Sequence, residues 1–166
     1  SCYITQIQMQ GCVMAEIMKI ENKELKEQIA CNVLKDLPEW FGLPDSTAEY
    51  INDGKELPFW AASDSNKYVG FITLNETSRD TVKIHCMGVL KSWQRMGIGR
   101  LLFNSLFNYA KKNEYYILQV KTVNQGCYKE YDQTVAFYES LGFRRLEVFP
   151  TLWDEWNPCL IMVMPI

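Results

Sequence analysis

Between residues 81 and 123 the hydrophobic pattern changes period twice, and no other feature restricts the fold as much. Residues 81–90, TVKIHCMGVL, read as a strand. Then Gly97-Ile98-Gly99 opens a run in which Ile98, Leu101, Leu102, Leu106, Tyr109 and Ala110 share one face at helical spacing. Lys111 and Lys112 sit in its last turn, where cations complement the helix dipole. Residues 115–123 are β-branched and aromatic, the composition of a strand. Strand, helix and strand in that order ask for a parallel crossover, and hence for an α/β fold.

The flanking sequence fits around this unit. Residues 58–62, 68–74 and 81–90 form three strand-like runs, the first two joined by the turn Ser63-Asp64-Ser65-Asn66. Their links are too short for crossovers, so an antiparallel meander is expected. Ahead of it, Ile20, Leu25, Ile29, Val33, Leu34 and Leu37 recur as one face of a helix over residues 19–37, which Pro38 ends. Asp45 or Ser46 is placed to cap a second, short helix carrying Ala48, Tyr50 and Ile51. After the crossover, a polar loop over 124–132 leads to a helix over 133–141, with Gly142 at its C-terminal stop. Strands over 145–149 and 159–164 close the chain, joined by residues 150–158. No linker or repeat divides residues 18–166, which read as one domain; residues 1–17 read as an N-terminal extension, with an expression remnant, an upstream start and an edge strand all open.

Composition narrows the function classes. With 17 Lys and Arg against 20 Asp and Glu the net charge is −3, which argues against a nucleic-acid partner, since phosphate contacts demand basic surface. The six cysteines show no CxxC pair and no His spacing, so no metal site is expected, and they read as reduced, mostly buried thiols in a cytoplasmic protein. No apolar run reaches the ~18–20 residues of a membrane helix, so no membrane role is expected.

Chemistry concentrates where the strand meets the crossover helix, at Val89-Leu90-Lys91-Ser92-Trp93-Gln94-Arg95-Met96-Gly97-Ile98-Gly99-Arg100. The first helical turn carries unpaired N–H groups and the positive end of the dipole, which together bind anions such as a pyrophosphate. Glycines let phosphate oxygens approach the backbone, and Arg95 or Arg100 adds positive charge. The spacing is neither GxxxxGK[ST] nor GxGxxG, which counts against kinases, GTPases and dinucleotide oxidoreductases.

Gln94-Arg95-Met96-Gly97-Ile98-Gly99 resembles the Q/R-x-x-G-x-G/A signature of the GCN5-related N-acetyltransferase (GNAT) superfamily. Ala136-Phe137-Tyr138-Glu139-Ser140-Leu141-Gly142-Phe143 resembles that family's second signature, A-x-F/L-Y-x-x-x-G-F, and the two stand in the family's order with a helix and a strand between them. The ending Trp153-Asp154-Glu155-Trp156-Asn157-Pro158-Cys159-Leu160 is similar to small bacterial members. The resemblance implies a mixed, mostly antiparallel sheet, flanked by helices and splayed between its fourth and fifth strands. It also implies an acetyl-CoA-dependent acyltransferase acting on an amine acceptor. The pantetheine would pair with the strand backbone at Met87, Gly88 and Val89, and the pyrophosphate would take the loop Gln94, Arg95, Met96, Gly97, Ile98, Gly99 and Arg100, with Asn124 beyond the crossover also on the cofactor. Tyr138 matches the tyrosine that protonates the departing thiolate.

Two departures matter. The family's usual strand glutamate falls at Lys83, a poor match, so that role does not carry over. His85 lies two residues on, on the same strand face, and its imidazole titrates near neutrality, so it is the substitute; Glu130, Asp132 and bulk water remain alternatives. Tyr131 and Thr134 also stand where the family often has Asn and Ala. Trp40, Phe41, Trp60, Phe149, Trp153 and Trp156 can either line an acceptor pocket or pack in the core. The rival to an enzyme is a CoA-binding sensor or assembly module without catalysis. Pairing of exposed final strands in a homodimer stays open.

Overall fold

The computed structural model describes residues 4–10 and 13–166, with side chains from Ala15 onward. In chain order the elements are β1 (Ile4–Gln10), β2 (Val13–Lys19), α1 (Lys23–Lys35), α2 (Pro44–Gly54), β3 (Phe59–Asp64), β4 (Lys67–Glu76) and β5 (Thr81–Val89). A 3-10 turn (Lys91–Trp93) leads to α3 (Ile98–Lys112), β6 (Ile117–Val123), α4 (Lys129–Leu141), β7 (Arg144–Asp154) and β8 (Asn157–Pro165). They gather into two compact units, one holding the chain up to Asn75 with His85–Tyr109, the other Glu76–Ile84 with Ala110–Ile166.

In the first unit β1 to β4 run in sequential order as antiparallel neighbours, with Ile17 opposite Ala62 and Trp60 opposite Ile72. Residue 17, the expected end of the N-terminal extension, lies within β2, where Ile17 is buried opposite Ala62 of β3. Helix α1 begins four residues later than its apolar pattern suggests, since Asn22 caps it by accepting from the Leu25 N–H at 2.8 Å. Its face of Ile29, Ala30, Val33 and Leu34 packs with Ile20, Leu37, Phe59 and Phe71 into one apolar cluster. Gly88 of β5 makes this fit possible: a Cβ there would lie 2.9 Å from Val33 Cγ1 and 3.0 Å from Leu37 Cδ1. Helix α2 is not capped by Asp45 or Ser46. Pro44 takes its first turn, where a missing N–H costs nothing, behind Leu43.

The second unit carries the parallel pairing expected of the crossover. Thr81, Val82 and Lys83 of β5 pair with Ile117, Leu118 and Gln119 of β6, and the ladder ends there, three residues into each strand. Beyond β6 come β8 and then β7, both antiparallel ladders. A mixed, mostly antiparallel sheet with helices therefore holds, but the expected fourth and fifth strands are β5 and β6 because a β1–β2 hairpin precedes them. Helix α4 starts at Lys129, so the expected loop is shorter; Asp132 lies in its first turn and accepts from the Gly126 N–H at 2.8 Å. Gly142 does end it, at φ 110°. Strand β7 continues through Pro150 to Asp154, with a shift of register against β8 between Phe149 and Asp154, and only the turn at Glu155 and Trp156 separates the two strands. Asp154 Oδ1 closes that turn by accepting from the Trp156 and Asn157 N–H groups, both at 2.9 Å.

Of the four cysteines among residues with described side chains, Cys86 and Cys159 are buried while Cys31 and Cys127 are exposed, which corrects the mostly-buried expectation for that pair. Among the described residues no helix is long and apolar enough to cross a membrane.

Candidate functional site

Strand β5 alternates strictly: Val82, Ile84, Cys86 and Gly88 are buried, whereas Lys83, His85, Met87 and Val89 are half-buried on the other face. His85 and Met87 therefore share a face two residues apart, roughly 7 Å along a strand. Gly88 looks the other way, into α1, so its lack of a side chain is set by core packing and only its backbone could meet a ligand.

The chain leaves β5 through a tethered loop. The Leu90 N–H donates to the Val69 carbonyl at 2.9 Å, and the Lys91 N–H donates to Asp36 Oδ2 at 2.8 Å. The Gln94 amide reaches back to donate to the Val89 carbonyl at 3.0 Å, so this side chain shapes the loop. Arg95 at φ 62° and Gly97 at φ 82° then turn the backbone through the left-handed region, and the Leu101 N–H closes the first helical bond on the Gly97 carbonyl at 3.1 Å. The N–H groups ahead of Leu101 stand at the open end of α3. The side chains divide: Ile98 is buried, Met96, Arg95 and Arg100 are exposed, and Gly97 and Gly99 are half-buried and place no side chain over the backbone. This arrangement can hold a pyrophosphate on backbone donors with two guanidinium groups on α3's approach and first turn.

His85 meets Asp53, the penultimate residue of α2: Nε2 lies 3.0 Å from Oδ2. The Tyr50 ring, one helical turn earlier, stands edge-on to the imidazole at 5.4 Å. A depression of about 300 Å³ opens beside them, lined by Asn52, Asp53, Glu56, Leu57, Asn75 and His85. Nothing in the sequence around Asp53 marks it, because its partner lies 32 residues away.

In the second unit Tyr138 is buried on α4, its ring 5.6 Å from Phe143 and 5.7 Å from Phe137, so the second signature is also an aromatic cluster. Asn124 donates its backbone N–H to the Pro158 carbonyl at 2.8 Å and is half-buried. Of the other carboxylates considered as bases, Asp132 is occupied by the Gly126 N–H, and Glu130 lies on the first turn of α4. The tryptophans divide as well: Trp60 is core, whereas Trp153 and Trp156 are exposed on the β7–β8 hairpin. Cys86 neighbours His85 in sequence but faces the core, and burial pushes its thiol far up, out of reach of thiolate chemistry at neutral pH.

An acetyltransferase (GNAT) domain profile matches residues 55–145, more than half of the chain. The N-alpha-acetyltransferase RimI of Mycobacterium tuberculosis is 34% identical over 79 residues, which span 48% of this chain and 45% of RimI, less than half of that relative's length. Among solved structures, Ard1 from Thermoplasma volcanium superposes with a TM-score of 0.74 at 16% identity, covering 93% of this chain and 99% of Ard1. An aminoglycoside 6'-N-acetyltransferase complexed with coenzyme A does so with a TM-score of 0.69 at 23% identity, over 90% and 96% of the two chains. With a profile match across both signatures, and a fold to go with it, the chain belongs to the GNAT acetyltransferase family.

Proposed function

We propose that this protein transfers an acetyl group from acetyl-CoA to a primary amine of a small molecule or peptide, by direct attack in a ternary complex. The observation that carries the reading is the loop ahead of α3, with its backbone turned through the left-handed region at Arg95 and Gly97 directly before the helix opens and two arginines exposed along it. The coenzyme A complex of the aminoglycoside acetyltransferase of like fold supports the same donor. Met87, Gly88 and Val89 offer strand backbone to the pantetheine, the loop from Gln94 to Arg100 takes the pyrophosphate, and Asn124 adds a contact beyond the crossover.

The neutral amine attacks the thioester carbonyl carbon. As the C–N bond forms, the amine gives its extra proton to the His85 imidazole. The C–S bond then breaks, and the leaving thiolate takes the Tyr138 hydroxyl proton; exchange with solvent resets both side chains. Holding both reactants on one scaffold replaces a bimolecular encounter, and strand and helix N–H dipoles stabilise the developing oxyanion.

A thermal-shift titration with acetyl-CoA, with ATP and NAD as controls, tests the donor. Ligand at about a hundred times its Kd adds roughly 2.7 kcal/mol, several degrees at this length. A shift with acetyl-CoA alone is expected; no shift at millimolar ligand sinks the reading. Lys83 in the usual glutamate position favours a sensor without catalysis as the second reading, and turnover with any member of an amine panel excludes it.

A further inference from the structure

The contact between Asp53 and His85 joins two elements, α2 and β5, through one hydrogen bond of 3.0 Å. The His85 side chain is 13% exposed and the Asp53 side chain 51%. A carboxylate only accepts, so the hydrogen of a neutral imidazole must sit on Nε2, and Nδ1 becomes the basic nitrogen. Half-exposed ion pairs of this kind add little to stability, typically under about 1 kcal/mol, so what the contact chiefly sets is the tautomer and the ring's orientation. The Tyr50 ring holds the imidazole from the same helix, with its centroid 5.4 Å away. The other carboxylate lining the depression, Glu56, is already held by Lys23 of α1 at 2.8 and 2.9 Å. Asp53 is therefore the carboxylate directed at the ring.

We propose that Asp53 is a positioning residue for acetyl transfer, fixing His85 with Nδ1 as proton acceptor, and that the acceptor amine reaches it through the depression beside α2. This rests on the reading of His85 as the base. Met87, on the same face of β5, belongs to the strand stretch offered to the pantetheine, which puts the imidazole one pleat from the thioester end of the donor. The carboxylate also stabilises the imidazolium that forms when the amine's proton arrives, without itself taking the proton. Asn52, Asn75 and the two carboxylates give the depression a polar lining, with Leu57 as its apolar member, which suits an amine carried on a hydrogen-bonding molecule.

The experiment compares wild type, Asp53→Asn and Asp53→Glu with acetyl-CoA and a panel of a polyamine, an aminoglycoside and a peptide N-terminus, following release of the CoA thiol. Asp53→Asn should lower kcat about tenfold to a hundredfold, a fraction of what a general base contributes, while KM for acetyl-CoA and the acetyl-CoA thermal shift stay unchanged. The acid limb of its kcat/KM profile should move to lower pH, because the imidazolium has lost its counter-charge, and Asp53→Glu should restore most of the rate. The chain has one histidine, so NMR titration of its imidazole reads the same displacement without turnover. Wild-type rate and profile in Asp53→Asn, or an unmoved histidine titration, overturns the positioning role alone. A wild type that binds acetyl-CoA but acetylates no amine overturns the transferase reading and Asp53's role with it.

Discussion

The loop ahead of α3 and the depression beside α2 both adjoin β5, yet they are assembled by opposite means. The loop is contiguous chain: Gln94 braces Val89, Arg95 and Gly97 turn the backbone, and α3 opens directly behind. The depression is a meeting of side chains from separate elements, with Asp53 and Asn52 from α2, Asn75 from β4 and His85 from β5. A ligand held by main-chain donors requires glycine or a left-handed residue at fixed spacing, and that requirement shows as a motif. A ligand met by side chains on a sheet face requires only that the fold bring them together, and many sequences do so.

Substitutions that separate donor from acceptor chemistry probe this contrast, and the largest effect is expected at His85. His85→Gln keeps a polar side chain of similar reach but removes the base, so kcat should fall by about 10²–10⁴ with the acetyl-CoA thermal shift intact. Loss of that shift would mean the two regions are not separable. Next is Tyr138→Phe, which leaves the ring among Phe137 and Phe143 and removes only the hydroxyl. A drop of about a hundredfold in kcat at unchanged acetyl-CoA affinity is expected from losing a general acid; an unchanged rate would leave that proton to solvent.

Two glycines separate ligand geometry from packing. Gly97→Val forces a β-branched residue to φ 82°, at a cost of about 1–3 kcal/mol, and should abolish the acetyl-CoA shift as the loop relaxes. Gly88→Ala sets a methyl group 2.9 Å from Val33 Cγ1, an overpacking cost also of about 1–3 kcal/mol. Its Tm should fall while the shift from acetyl-CoA persists, since that face of β5 looks into the core. Equal loss of binding in both variants would show Gly88 acting on the ligand.

The same distinction explains what could be read from the sequence. The crossover, the loop and the Gly142 stop are local: each needs a period or a glycine at one place, and the structure has them. Strand β7 extends past the expected residues 145–149, through Pro150 to Asp154. The strand lies at the sheet edge, where a missing N–H is tolerated. Helix α4 starts at Lys129, inside the stretch whose polarity suggests a loop, and Asp132, accepting from the Gly126 N–H, secures its first turn from a distance no pattern records. Asp53 is the extreme case, a solvent-facing helix carboxylate whose partner is identified only once α2 and β5 are placed.

The smallest expected effect lies where the loop is tied down by exposed charges. Lys91 Nζ donates to Glu39 Oε1, and this contact holds the Glu39 carboxyl below its ordinary range. A carboxyl lowered in the folded state adds stability above its unfolded value and loses it as the pH falls through the folded one, so the tether should weaken only in acid. Both side chains are solvent-exposed, and salt screens them. The Lys91 N–H also donates to the Asp36 carboxylate, which fixes the main chain of the same residue. Glu39→Gln should therefore leave acetyl-CoA affinity within about twofold at physiological salt. Asp36→Ala, which frees the backbone itself, should weaken it more. Measured by the same titration, a larger loss in Glu39→Gln than in Asp36→Ala would mean that the loop depends on the Lys91 side chain more than on its main-chain anchor, and the contrast with the depression would fail at its stronger end.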